Sequence, residues 1–421
     1  MSERSMMTAV SGIRNQQVQM DIIANNIANA GTVGFKRSRM TFEETFSQLL
    51  QGASRPPGNT GGVNPLQIGS GSGVGAIDII TSQGNIQSTG NLTDLAIRGD
   101  GFFVVSDGNR DFFTRSGAFQ WDSDGRLILP FNGMIVQGRV ADEQGSINEG
   151  SIIGNVIVPF GMVDNASATT NIDFVGNLDA SSAEDTHSAA FRIFDSLGNP
   201  HTLTMKFTKD PATANAWTWQ ITVHDPAAIV TGGSGTVTFD ENGALDTFAY
   251  DGGATALTID PGTGADEPQI ISFQMGTAGQ TDGITQFASS STLIANDQDG
   301  YTSGVLDSVG IDDRGIVTAV FTNGDSRLFA QLEMATFNNP AGLLRVGDNV
   351  FDKSSNSGDA IYGLAGTSIN STIVPGAIEM SNVDLAEEFT NMIIAQRAFQ
   401  ANARTITTTD ELLQEVVNLK R

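Results

Sequence analysis

The residue types that most often do chemistry are sparse in this 421-residue chain. Its three histidines, His187, His201 and His224, lie at no metal-ligand spacing from one another. Cysteine is absent, so no thiol nucleophile, thiolate metal site or disulfide can form. Asp122-Ser123-Asp124-Gly125 and Asp297-Gln298-Asp299-Gly300 contain part of a calcium-loop pattern. With either glycine at the sixth loop position, Gln120 or Ala295 falls first and Phe131 or Leu306 twelfth, where a calcium loop needs its oxygen ligands, so both read as turns. Gly71-Ser72-Gly73-Val74-Gly75 lacks the full phosphate-loop fingerprint and a following helix, and Ser116-Gly117 lacks the nucleophile-elbow pattern. Arg98-Gly99-Asp100 spells an adhesion tripeptide, but it runs directly into an apolar strand. No convergent polar cluster emerges, and the reading is of a protein that is not an enzyme and takes no cofactor and no metal.

The charge balance narrows the partners. A net charge of -25 repels phosphate backbones and anionic lipid headgroups, so nucleic acid is not a partner. No stretch approaches 18 apolar residues, which argues against membrane insertion, and the first twenty residues lack the apolar run of a cleaved secretory signal. The 48 glycines, with frequent Ser, Thr, Asn and Asp, suit many short strands joined by tight turns.

The elements follow from periodicity. At the N-terminal end Met6, Val10, Ile13, Met20, Ala24 and Ile27 recur in alternating steps of four and three, interrupted by Gln17, which predicts a helix stopping near Asn29-Ala30-Gly31. At the C-terminal end Ser381-Asn382 offers an N-cap. Asp384, Glu387 and Glu388 then place negative charge in the first turn. The seam continues through Leu385, Phe389, Met392, Gln396, Phe399, Ala403, Ile406, Asp410, Leu413 and Val417. Gln396 and Asp410 either set the register, face a channel or mark an exposed edge. Two amphipathic helices cannot cover each other on every side, so Met6, Val10, Ile13, Met20, Ile27, Leu385, Phe389, Met392, Phe399, Ile406, Leu413 and Val417 are the expected contacts of a polymer core.

Between the helices, Leu203, Met205 and Phe207 alternate with polar residues, as do Trp217, Trp219, Ile221 and Val223, marking half-buried strands. Turn dipeptides such as Asp107-Gly108, Asn132-Gly133 and Asn242-Gly243 punctuate them. The fold class is therefore α+β and mainly β. Nested discontinuous β domains are expected inside terminal α-helices that pack like a coiled coil. The expected divisions are a terminal helical domain (1–50 and 376–421), a Gly/Pro/Ser-rich connector (51–75), an inner β domain (76–155 and 293–375) and an outer β domain (156–292). The last carries 16 acidic residues against three basic ones.

Two runs at opposite ends carry a resemblance. DIIANNIANAGTVGFKRSRMTF, from Asp21 to Phe42, resembles the motif of flagellar rod and hook proteins, with Asn25, Asn26, Ile27, Asn29, Gly34 and Phe35 on its distinctive positions. NVDLAEEFTNMIIAQRAFQANARTITTTDELLQEVVNL, from Asn382 to Leu419, is similar to the matching end of that family. LAIRGDGFFVVSD and FDSLGNPHTLTMKF resemble its inner and outer β domains, and the length favours hook over rod. The resemblance implies a homopolymer forming a curved hollow joint that passes torque from basal body to filament. It further implies partners in the flagellar rod, hook cap, hook–filament junction and export apparatus, and an extracellular location reached without a cleaved signal. Phe42 to Phe46, or Phe46 to Leu50, fits an export element. The alternatives are another axial flagellar protein or a secreted β-rich adhesin.

Overall fold

A computed structural model of the chain describes residues 2–53, 64–142, 145–147, 150–181, 186–224 and 227–419. Two long helices stand at the ends, α1 over Ser2–Ala28 and α2 over Leu385–Leu419, about 40 and 50 Å long. Among the described residues, every regular element between them is a strand or a single 3-10 turn. No helix among the described residues is long and apolar enough to cross a membrane.

The chain divides into two compact units. The first joins Met1–Pro159, Val309–Thr318 and Leu328–Arg421, so it is assembled from both ends of the sequence. Its outward and return paths pair directly. Ile86–Ser88 runs antiparallel to Ala377–Glu379, and Leu95–Gly99 to Ser371–Pro375. A larger sheet orders Phe102–Ser106 between Ile135–Val140 and Asp111–Thr114, and Phe102, Val104, Phe113, Phe337 and Phe351 close its core. Their rings meet edge to face, with Phe113 and Phe337 centroids 4.7 Å apart.

The second unit spans Phe160–Ser308 and Ala319–Arg327. A five-stranded antiparallel sheet and a six-stranded mixed sheet share one core. The alternation seen in the sequence sets the register: Leu203, Met205 and Phe207 pair across the ladder with Val223, Ile221 and Trp219, which places all six on one face. Asp195 anchors a turn whose geometry recurs at Asp122, Asp240 and Asp312. In each, the carboxylate Oδ1 accepts from backbone N–H groups two and four residues on, and a glycine at the fourth position adopts positive φ. Of the two aspartates that suggested a calcium loop there, Asp122 is spent on the backbone and Asp124 pairs with Arg126 at 3.2 Å.

Three expectations need correction. The span 51–75 is not a plain connector: β1 (Ser38–Glu44) pairs with β4 (Ser72–Ile79), and β2 (Ser47–Gln51) with β3 (Leu66–Gly69). These strands are exposed or half-buried along their length, and their apolar alternation is brief, Met40 and Phe42 in β1 and Leu66 and Ile68 in β3. Residues 54–63 of that span lie outside the described residues. For the same reason the 1–50 segment is helical only to Ala28, since β1 and most of β2 fall within it. Lastly, the left-handed glycine after α1 is Gly34, at φ +70°, and not Gly31.

Candidate assembly interface

The segment after α1 is fixed by the residues that carry the family resemblance. Asn26 is buried, and its side chain makes three bonds: Nδ2 donates to Ser38 O at 2.8 Å and to Glu388 Oε1 at 3.1 Å, while Oδ1 accepts from Ser38 N at 3.0 Å. One amide thus joins α1, β1 and α2. Asn29 closes the helix, its N–H and its Nδ2 both donating to Asn25 O, and Asn25 itself is exposed. Gly34 packs so closely that a Cβ there would lie 2.5 Å from Ser116 N. Phe35 is buried with the Arg345 guanidinium 4.7 Å from its ring centroid, and Arg345 also donates to Lys36 O.

Lys36 leads to a buried ionic cluster. Its Nζ lies 2.6 Å from Glu379 Oε1 and donates to Ser82 O at 2.9 Å. Arg115 Nη1 lies 3.2 Å from Glu379 Oε2, and Gly84 N donates to Oε1 at 2.7 Å. All three charged side chains are at most 3% exposed. Burial pushes the Lys36 ammonium below the ordinary lysine range, and nearby Arg115 adds to that while Glu379 opposes it. Burial lowers Arg115 as well, again against the pull of Glu379. A single carboxylate therefore holds both strand paths and the post-helix segment together.

The start of α2 is held from the same side. Asp384, and not Ser381 or Asn382, is the N-cap, its Oδ1 accepting from Ala386 N and Glu387 N. Asn382 instead accepts from Arg37 N and donates to Ile80 O and Ser82 O. Glu388 is buried beside Asn26. Burial raises its carboxyl above the ordinary range, opposed by the Asn26 bond and by Arg37.

α1 and α2 pack antiparallel, with Gly12 opposite Asn402 and Asn26 opposite Glu388. The side facing inward is turned one residue from the expected seam. On α2 the half-buried Met392, Phe399, Ile406 and Leu413 belong to that seam, but the residues buried between them are Glu388, Ala395 and Thr409, with Asn402 half-buried. Phe389, Gln396, Asp410 and Val417, one residue further on, are exposed. On α1, Ala9, Ile23 and Asn26 are buried, Ile13, Met20 and Ile27 are half-buried, and Met6 and Val10 are exposed. The reason is close approach. A Cβ on Gly12 would fall 2.6 Å from Asn402 Nδ2, so the helices meet closely at that point, while further along α1 the larger Ile23 is buried.

The exposed apolar side chains form the largest unsatisfied feature of the helices. Leu385, Phe389 and Ile393 line up at successive turns of α2, 45%, 51% and 52% exposed, with Ile394 beside them. Leu412 and Val417 follow near its end. Glu379, Arg115, Glu388, Arg345, Gly12 and Asn402 were not singled out as site residues from the sequence. The signal available was a charge inside an apolar run, as in Ala377-Ile378-Glu379-Met380.

Elsewhere, His187 Nε2 meets Leu293 O at 2.7 Å and His201 Nε2 meets Asp195 Oδ2 at 3.3 Å. Among the described residues no three of His, Asp or Glu gather to hold a metal.

Family models match the chain in order. A flagella basal body rod protein model covers residues 6–36 and a flagellar hook protein FlgE/F/G D1 domain model covers 96–174. A flagellar basal body protein FlaE D2 domain model covers 164–301, and a flagellar basal body rod FlgEFG protein C-terminal model covers 374–419. The flagellar hook protein FlgE of Borreliella burgdorferi is 40% identical over 443 aligned residues, covering 99% of both chains. Those of Treponema pallidum and Escherichia coli are 38% and 32% identical, over 99% and 98% of this chain and 100% and 99% of theirs. The crystal structure of Helicobacter pylori flagellar hook protein FlgE2 shares the fold at a TM-score of 0.51 and 13% identity, over 68% of this chain and 98% of that one. The bonds of Asn26, Gly34, Phe35 and Lys36 thus lie in or beside the residues that the terminal models match, and with relatives similar along nearly its whole length the chain belongs to the flagellar hook protein family.

Proposed function

We propose that this chain is the repeating structural subunit of a flagellar hook. Copies polymerise through their terminal helices into a curved hollow tube that works as a flexible joint, carrying torque from the basal body to the filament. The observation that carries the reading is the exposed row Leu385, Phe389 and Ile393 on α2. Burying one such side chain is worth about 1.5–3 kcal/mol, so a few copies of this contact per subunit sustain a polymer. Head-to-tail contacts that do not close into a ring generate an open helical array, which is the geometry of a tube. The role is structural and needs no catalysis. It brings the chain into contact with the rod at one end of the hook, with cap and hook–filament junction proteins at the other, and with the export apparatus that delivers it outside the cell.

Electron microscopy of the concentrated, purified protein tests this. Curved tubes are expected, and a protein that stays monodisperse at every concentration and ionic strength contradicts it.

A further inference from the structure

The chain contains three Asn-Gly pairs, Asn132-Gly133, Asn242-Gly243 and Asn323-Gly324, and all lie on turns. Such pairs carry a chemistry that needs no enzyme. Glycine has no Cβ to shield its amide, so its nitrogen can reach the side-chain carbon of the preceding asparagine. The three glycines share a positive φ, +70°, +81° and +90°, and each amide donates to a backbone carbonyl, Leu129 O, Asp240 O and Phe321 O respectively. Neither feature separates the three pairs, but the surroundings of the asparagine side chains do. Asn323 Nδ2 donates to Thr302 O at 2.9 Å and to Asp164 Oδ2 at 3.1 Å, so the nitrogen that would leave is held in place. Asn242 lies against Asp240, whose carboxylate accepts from its backbone N–H at 2.8 Å and from its side chain. A carboxylate beside the reacting amide opposes the anion that must form there. Gly243 is also buried, and a Cβ on it would fall 2.5 Å from Gln286 O.

Asn132 has none of these restraints. Its Oδ1 accepts from Met134 N at 3.1 Å, which folds the side chain back over Gly133 and polarises its carbonyl. Its Nδ2 is buried without a hydrogen-bond partner among the described residues, an unmet donor whose departure relieves a cost. Gly133 is exposed, and a Cβ there would meet nothing within 4 Å. We propose that Asn132 is a site of spontaneous deamidation, the first of the three to convert while the chain is folded. The Gly133 nitrogen gives its proton to hydroxide and attacks Asn132 Cγ. That bond forms, the bond from Cγ to Nδ2 breaks, and Nδ2 leaves as ammonia after taking a proton from water. Water then opens the cyclic imide at either carbonyl, which leaves aspartate or isoaspartate and one added negative charge, with nothing oxidised or reduced. Isoaspartate routes the chain through its side chain and so lengthens the backbone inside a tight turn. Leu129 N closes that turn by donating to Met134 O at 2.9 Å, between the strands Leu127–Ile128 and Ile135–Val140.

To test this, the full-length chain is aged at mildly alkaline pH, both folded and in denaturant. Each site is followed by peptide mass spectrometry and by methyl transfer onto isoaspartate with a purified isoaspartyl methyltransferase. In denaturant the three sites are expected to convert at similar rates, because each is then a free Asn-Gly pair. In the folded chain Asn132 is expected to lead the other two by about tenfold, the size of one or two hydrogen bonds to the departing nitrogen. Equal conversion of the three sites in the folded chain, or a lead for Asn242 or Asn323, would overturn the proposal. Asp164→Ala removes one of the two acceptors that hold Asn323 Nδ2 and is expected to raise conversion at Asn323 several-fold while leaving Asn132 unchanged. An unchanged rate at Asn323 in that variant, folded by its tryptophan fluorescence, would overturn the argument from the leaving nitrogen. The ranking in the unmodified chain needs no substitution and stands as the test if the variant does not fold.

Discussion

Glu379 shows how much of the first unit hangs on single side chains. Two buried cations, Lys36 and Arg115, share its one carboxylate, and removing that charge leaves both without a counter-ion in a water-poor site. Glu379→Gln is expected to destabilise the first unit by about 3–5 kcal/mol in denaturant unfolding, and adding Lys36→Met to recover part of the loss. In the second unit Asp195 plays a comparable part. Burial alone would raise its carboxyl, but hydrogen bonds from Thr263, Asn199 and His201 outweigh that and hold it far below the ordinary range. A carboxyl lower in the folded than in the unfolded chain stabilises above the unfolded value, near 4, and the contribution fades as pH falls through the folded value. Acid titration followed by the fluorescence of Trp217 and Trp219, both in the core of this unit, is therefore expected to show a loss that steepens below about pH 4. Asp195→Asn should lower stability at neutral pH by about 1–3 kcal/mol and flatten that acid limb. Of these residues, the motif at Asn26, Gly34 and Phe35 was legible in the sequence. Glu379 was not, because its partners lie 343 and 264 residues away, and no local pattern encodes such a pairing.

At the scale of elements, periodicity located both helices, and the sides that α1 and α2 turn to each other lie one residue from the apolar seam expected to meet other copies. Apolar spacing marks the side that wants burial by something, and in α2 two sides compete. Met392, Phe399, Ile406 and Leu413 serve both, while Phe389 and Val417 face out and Ala395 and Thr409 face in. The inward side is read from size, not apolarity, with Gly12 and Ala9 admitting α2 closely. Gly12→Ala should therefore loosen the helix pair through Asn402, lowering its protection from amide exchange by up to about tenfold. Asn402→Ala should restore much of that loss in the double variant, as a coupled contact requires. Independent, additive effects would show that the two residues do not meet. The strands of β1–β4 and β2–β3 were missed for a related reason: they are exposed or half-buried along their length, so no buried face imposes a sustained period of two. The strands of the second unit, with one face buried among Phe, Trp and Ile, were plain.

For the molecule as a whole, the two ends of the chain are joined to each other. Residues more than 300 positions apart meet at Asn26 with Glu388, Lys36 with Glu379 and Arg37 with Asn382, so the helix pair is rooted in the first unit, while Leu385, Phe389 and Ile393 beside that root stay exposed. The nested order was legible in the sequence because strand patterns and terminal seams each have their own period, whereas the exposed surface depends on the three-dimensional register. The most direct measurement is polymerisation of a chain carrying Phe389→Asp and Ile393→Asp, followed by light scattering and electron microscopy beside the unmodified protein. The account predicts a monomer with unchanged tryptophan fluorescence that forms no tubes. Tubes of normal length at the unmodified critical concentration would contradict it.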